Sequence, residues 1–516
     1  MKRKLLSLFC TVSLGGSLAL SGCSSGGTSP PKETDPPKDT ATPGKNETAA
    51  NKAQKVYIFA SSTTSKPEAM DEVRKAIMEK SGVEVVPVIA PKGSEAEKLN
   101  ILLSSGEPLD IFQGSYADYQ AKGAVQPLNK LLDQYGTHIK ALWPKEWETS
   151  WKALSTADGQ IWAIPTVPPT AYYTIYVRTD WLKKLNLTMP RTVDELEHVL
   201  KEFKDKDPAG SGQTIPLLTD LPSLNNALSA GFMDMGYSKW IDSDGKVKPS
   251  EMNPGYKEFI ARVADWYKKG FLYKESFTAK RDRQIELVKQ NRVGVAILPH
   301  STVNMNEYAL QKNEPEAKYE VAAELKGPKG NVITMGGIGA SGFMINRNSK
   351  NPEAAIRYID WLHSDIENYF LAFYGIKGKH WRYVDEKNHI IEKMNEDYLG
   401  DYITALTFAY TVRFQVSDPA NAPQFDYIRK YVTDESRTKK MADADVSYKY
   451  DTKEIVSQLP GKSDFDRMLA EETVKFIMGS RPMSEYDAFL QELNKAGLDK
   501  WIGVFTDQYN KAKSGK

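Results

Sequence analysis

Val56-Tyr57-Ile58-Phe59-Ala60, Val83-Glu84-Val85-Val86-Pro87-Val88-Ile89 and Leu109-Asp110-Ile111-Phe112 are short apolar runs of β-rich composition. The segments between them, Lys66 to Lys80 and Ser94 to Ser104, have the spacing of amphipathic helices. Strands separated by helices predict parallel pairing, because a chain that returns through a helix re-enters its sheet in the same direction. The expectation is an α/β layered fold with a largely parallel sheet. Ligands of such sheets sit beyond the carboxyl ends of the strands, which directs attention to Ser61, Ser62, Gln113, Gly114, Ser115 and Tyr116.

Working outward, Tyr172 to Arg178 is a further β-rich stretch. Thr192-Val193-Asp194-Glu195 reads as a capping box opening a helix through Leu196, Val199, Leu200 and Phe203. Val293-Gly294-Val295-Ala296-Ile297-Leu298 is another strand, ending at Pro299-His300-Ser301, and Phe343-Met344-Ile345 leads into a helix after Asn351-Pro352. From about Asn395 the pattern is mainly helical and closes with one helix from Glu485 to Gln508. No internal repeat is visible.

The first residues stand apart. Lys2, Arg3 and Lys4 precede an apolar stretch, Leu5 to Leu20, too short and too rich in Gly and Ser for a membrane span, so 1–22 reads as a secretory signal. It ends in Leu20-Ser21-Gly22-Cys23, which resembles a bacterial lipobox whose cysteine is acylated after cleavage. The other cysteine, Cys10, lies in the removed part, so the mature chain has no internal disulfide to lean on. Residues 23–54 carry five prolines among Gly, Ser, Thr, Lys and Asp, a composition that cannot build a core and reads as a tether. The whole chain has 516 residues and a formal net charge of +1, with 26% charged and 41% hydrophobic residues. Such a balance excludes disorder along the whole length and gives no electrostatic reason to expect nucleic acid as partner.

Catalytic and metal motifs are sparse. The six histidines show no metal spacing, and neither GxSxG nor a Walker A sequence occurs. Gly337 to Gly342 matches GxGxxG but runs into an apolar strand pattern where a dinucleotide site needs a helix N-terminus, so it reads as a glycine-rich crossing. Asp242-Ser243-Asp244-Gly245 resembles the start of a calcium loop, without the glutamate expected about twelve positions in. Asp242 and Asp244 are therefore weak metal candidates beside the plainer reading of a solvated turn. Paired carboxylates for glycoside hydrolysis stay open, since their separation is unreadable from sequence. Aromatic and polar residues at loop positions stand out instead: Trp162, Tyr172, Tyr173, His300, Tyr374, His380 and Trp381. Rings of this kind stack on the C–H faces of sugars, and any one of them alone packs a core just as well.

The stretch Tyr173-Thr174-Ile175-Tyr176-Val177-Arg178-Thr179-Asp180-Trp181-Leu182, followed by Pro190-Arg191-Thr192-Val193-Asp194-Glu195-Leu196, resembles the signature of extracellular solute-binding proteins, family 1. It is similar to the long lipoprotein branch of Bacillus-like and Paenibacillus-like bacteria. Collinear matches follow at Asp158 to Pro165, Gly294 to Pro299, Asn351 to Ala355, Tyr374 to Trp381 and Gly479 to Tyr486. The resemblance implies two α/β lobes joined by a hinge with a ligand cleft between them. It places 55–169 and 336–390 in lobe 1, 170–335 and 391–516 in lobe 2, and hinge crossings near Pro168-Pro169-Thr170 and Gly336-Gly337. It further implies a monomer without cofactor, anchored at the extracellular face through Cys23, that captures an oligosaccharide for two permease subunits and a cytoplasmic ATPase. A glycan-degrading surface enzyme and a sugar-binding sensor are the alternatives. Alginate-binding relatives carry an EF-hand-like loop reading DPNGNGKxDE where this chain has Asp207-Pro208-Ala209-Gly210-Ser211-Gly212-Gln213-Thr214, lacking the two Asn ligands and the acidic pair.

Overall fold

The computed structural model describes residues 53–60, 64–156, 158–336, 341–403 and 407–514. The signal segment, Cys23, nearly all of the tether, Ser62, the glycines at 337 and 339 and the side chain of Ser115 lie outside the described residues. No helix among those described is long and apolar enough to cross a membrane.

Nine strands build the two principal sheets: β1 Gln54–Ala60, β2 Val83–Ile89, β3 Ile111–Ser115, β4 Ile164–Pro165, β5 Tyr173–Arg178, β6 Ile215–Thr219, β7 Val293–Pro299, β8 Tyr319–Val321 and β9 Ser341–Ile345. The first sheet has the order β2-β1-β3-β9-β4, the second β8-β5-β7-β6. The expected parallel pairing holds for β1 with β2 and β3, and for β6 with β7. Each sheet also contains one reversed strand, β9 against β3 and β4, and β5 against β7 and β8. These are the strands entered directly after the chain passes from one sheet to the other. A chain that arrives at the junction must start its strand there, whereas the helix-connected strands end there. Facing the junction are therefore the carboxyl ends of β1, β3, β4, β6 and β7 and the amino ends of β5 and β9.

Each sheet is covered on both sides. Val56, Ile58, Ile111, Phe343 and Ile345 pack on Ile356, Ile359 and Leu362 of the helix Pro352–Ser364, while Phe112 and Met344 pack on Leu99 and Leu102 of the helix Glu95–Ser105. In the second lobe Ile175, Val177, Leu217 and Val295 meet Leu196, Val199, Leu200 and Phe203 of the helix Val193–Lys206. Thr192 caps that helix by accepting the Glu195 N–H at 3.1 Å, as predicted, although the Glu195 carboxylate takes the Arg191 N–H at 2.7 Å rather than that of Thr192.

Two expectations need correction. The first lobe does not end at 390: Ile391, Tyr398, Tyr402, Tyr410 and Phe414 share the apolar cluster of Val56 and Ile58. The chain changes lobes on the helix Ala422–Tyr431, where Phe425 packs with the first cluster while Tyr427 and Ile428 pack on Tyr176 and Leu298 in the second. The C-terminal part is also less helical than its pattern suggested. Most of 395–421 and 432–451 is irregular, and the closing helix is two, Tyr486–Lys495 and Leu498–Ser514, parted at Gly497 with φ 97°.

Three chain segments lie side by side at the junction. The Gly336 N–H donates to the Thr170 carbonyl at 3.0 Å, and the Ala171 N–H donates to the Val432 carbonyl at 2.7 Å. A Cβ at position 336 would stand 2.8 Å from the Thr170 carbonyl oxygen, so only glycine permits this approach.

Candidate functional site

The amino end of β5 and the carboxyl end of β7 bring Tyr172, Tyr173 and His300 together, with Tyr173 paired to Pro299 in the ladder. The Tyr172 ring is 43% exposed. It stands edge-on to Tyr173 at 5.1 Å and to His300 at 5.4 Å, and its carbonyl accepts the His300 N–H at 3.0 Å. Behind it the buried His300 imidazole stacks on Tyr427 at 4.5 Å and 14°. Its Nδ1 donates to Gln424 Oε1 at 3.1 Å. Burial, aided by the positive charge of Arg281, pulls His300 down to about 4. At neutral pH the ring is uncharged and engaged, so it holds Gln424 rather than acting as a base toward solvent. The Tyr427 hydroxyl donates to the Ala171 carbonyl at 2.8 Å and accepts from Arg437 at 3.0 Å, which ties this stack to the junction. Arg281 donates to the Ser301 hydroxyl at 2.9 Å beside it.

On the first lobe Gln113, on β3, donates to the Thr166 hydroxyl at 3.2 Å. Tyr116 follows β3 directly, buried enough to raise its phenol above the ordinary value. Trp162 is half-buried and donates its indole N–H to the Thr156 hydroxyl at 3.1 Å. A cavity of about 770 Å³ opens here, lined by Tyr116, Trp151 and Thr156 from the first lobe and by Tyr448, Tyr450 and Asp451 from the second. Two walls from different lobes, both aromatic, the first edged by Gln120, Ser155 and Thr156 and the second by Asp451, Thr452 and Lys453, make this the site suited to a ligand with apolar faces and a polar rim. A groove of similar size, about 760 Å³, is lined by the helix Val193–Lys206 and by Arg262, Lys268, Lys269 and Phe271. Within it Glu197 pairs with Arg262 at 2.8 Å and with Lys269 at 2.6 Å.

Three expected site residues sit elsewhere. Trp381 is 1% exposed. Its ring packs edge-on to Phe370 at 5.0 Å and Tyr383 at 5.1 Å, and its indole N–H donates to the Gly375 carbonyl at 2.8 Å. Tyr374 packs edge-on to Phe373 at 4.7 Å in the same cluster. His380 is buried and accepts the Ile376 N–H on Nδ1 at 2.9 Å. The Tyr374 to Trp381 motif is thus a core corner that closes the first lobe against Ile391 and Phe414, and these three are removed from the cleft. Asp242 and Asp244 form the tip of a hairpin and are held by turn N–H groups and by Lys248. Asp207 folds its own loop, accepting the N–H of Gly212 at 2.6 Å, the N–H of Thr214 at 3.1 Å and the Thr214 hydroxyl at 2.7 Å. Among the described residues no group of three His, Cys, Asp or Glu could hold a metal ion.

Trp151, Tyr448, Tyr450, Gln424 and Tyr427 were not singled out from sequence. Tyr448-Lys449-Tyr450 gave a signal, two aromatics in an otherwise polar stretch, but Trp151 and Tyr427 sit in helices whose patterns look like packing.

The sequence pattern described as bacterial extracellular solute-binding protein matches residues 60–368. The fructooligosaccharide ABC transporter substrate-binding protein FusA of Streptococcus pneumoniae serotype 4 is 24% identical over 468 residues, 82% of this chain and 83% of that one. Lipoprotein LipO of Bacillus subtilis strain 168 is 22% identical over 463 residues, 85% of this chain and 89% of LipO. The crystal structure of the N-glycan transport solute binding protein NgtS from Streptococcus pneumoniae superposes with a TM-score of 0.66 at 18% identity, covering 90% of this chain and 100% of NgtS. Two lobes with one reversed strand each, a cleft at the strand ends and a pattern match across more than half of the chain agree: this protein belongs to the bacterial extracellular solute-binding protein family.

Proposed function

We propose that this chain is the lipid-anchored capture component of an ABC importer, taking oligosaccharides or glycan fragments into the cleft between its lobes. It hands them, as a monomer, to two permease subunits driven by a cytoplasmic ATPase. The observation that carries the reading is the 770 Å³ cavity with Tyr116 and Trp151 on one wall and Tyr448 and Tyr450 on the other. Sugar rings present apolar C–H faces and a rim of hydroxyls. Aromatic walls take the faces, and groups such as Thr156, Gln120 and Asp451 suit the rim. FusA as a fructooligosaccharide-binding protein and NgtS as an N-glycan transport protein support the same ligand class. The likeness to LipO and the lipobox at Cys23 support the anchor. We assign 55–169 and 336 to about 425 to the first lobe and the remainder of the body to the second.

The test is a panel of oligosaccharides added to the mature protein. Ligand at a hundredfold its Kd adds about 2.7 kcal/mol to the native state, so a matching glycan raises the unfolding midpoint and is recovered intact by mass spectrometry. Cleaved products would replace this reading with the degrading enzyme. No shift with any glycan would refute it.

A further inference from the structure

Tyr450 lines the cleft, but its hydroxyl turns inward and donates to Asp443 Oδ2 at 3.0 Å. Asp443 is 1% exposed, and the same oxygen forms an ion pair with the Lys239 ammonium at 3.0 Å. Lys239 arrives on the hairpin Lys239–Ile241 and Val247–Pro249, whose tip is the Asp242 to Gly245 turn. Its ammonium lies 5.5 Å from the Tyr450 ring centroid and 5.2 Å from that of Phe505. Asp443 Oδ1 is buried without a hydrogen-bond partner. An ion pair with a buried, half-satisfied carboxylate adds no net stability over apolar side chains of equal volume where desolvation offsets its attraction, so stability gives no reason for it. A ring fixed in place does.

We propose that Asp443 and Lys239 are positioning residues that hold the Tyr450 ring as the rigid second-lobe wall of the cleft. Tyr450 then meets the C–H face of a sugar with its ring instead of hydrogen-bonding its hydroxyls. This rests on the oligosaccharide reading. A wall ordered before binding spares the complex the entropy of ordering it.

The experiment compares the wild type with Tyr450→Ala and with the double variant Lys239→Met/Asp443→Leu, which replaces the pair by apolar side chains. Asp443→Asn stands in should the double variant unfold. Without ligand, ring-labelled tyrosine NMR, assigned through Tyr450→Phe, should give a slowly flipping Tyr450 ring in the wild type and an averaged one in the double variant. Calorimetry with tri- and tetrasaccharides of fructose, mannose and galacturonate should then give about tenfold weaker binding for the double variant at an unchanged unfolding midpoint, and at least that loss for Tyr450→Ala. Wild-type affinity in either variant, or a Tyr450 ring equally ordered in both proteins, overturns the proposal. Should no oligosaccharide bind the wild type, the functional reading falls. The ring comparison still decides the positioning role, an averaged ring in the double variant supporting it and an unchanged one overturning it.

Discussion

Tyr172 and Trp381 are both aromatic residues beside a glycine- or proline-rich segment, and their surroundings give them opposite tasks. Tyr172 is 43% exposed and backed by the His300–Tyr427 stack, whereas Trp381 is 1% exposed among Phe370 and Tyr383. Tyr172→Ala should therefore weaken glycan binding by about 1–3 kcal/mol and leave the urea midpoint nearly unchanged. Trp381→Ala should instead cost about 3–5 kcal/mol of stability. Calorimetry and urea unfolding of the two variants check the contrast, and weakened binding with intact stability in Trp381→Ala would return that residue to the site. The buried histidines give a second expectation. Burial lowers His300 and His363 from 6.5 to about 4, so between pH 6.5 and 4 the unfolded chain takes up protons that the native state refuses. Stability contributed by their neutral forms is complete above pH 6.5 and lost as the pH falls toward 4, by about 3 kcal/mol for each. In urea titrations across this window, His363→Gln should flatten the slope, and an unaltered slope would contradict the assignment.

At the scale of elements, what could be read from the sequence is what is encoded locally. The runs of β1 to β3 and the Thr192 cap depend on periodicity and on one side chain within a few residues, and both appear in the structure. The reversed strands β5 and β9 could not be read that way, since direction is set by where the crossing segments arrive. Nor could the cavity wall, because Trp151 and Tyr450 meet only through the approach of the two lobes. Burial of Tyr374 and Trp381 likewise depends on Ile391 and Phe414, which come later in the chain and share their cluster, and His380 lies against the later Tyr398. The third crossing was hidden because the helix Ala422–Tyr431 has an unbroken helical pattern although its buried residues serve two cores. Among the crossing segments Gly336 is the tightest point. Gly336→Ala should destabilise the protein by about 1–3 kcal/mol through contact with the Thr170 carbonyl, measured by thermal unfolding. A neutral effect would mean that the segments are looser than the 3.0 Å hydrogen bond between them implies.

At the scale of the whole molecule, the proposed anchor and the two-lobed body each give an expectation. Cys23→Ala should release the protein into the medium, and its retention on membranes after signal processing would remove the anchor from the account. The central claim is that ligand is held between lobes, by Tyr116 and Trp151 on one side and Tyr448 and Tyr450 on the other. A ligand touching both walls favours the closed arrangement by its differential affinity for it. Small-angle scattering with and without saturating oligosaccharide tests this most directly. The account predicts a smaller radius of gyration with ligand, and a ligand bound by calorimetry with no change in that radius would contradict it.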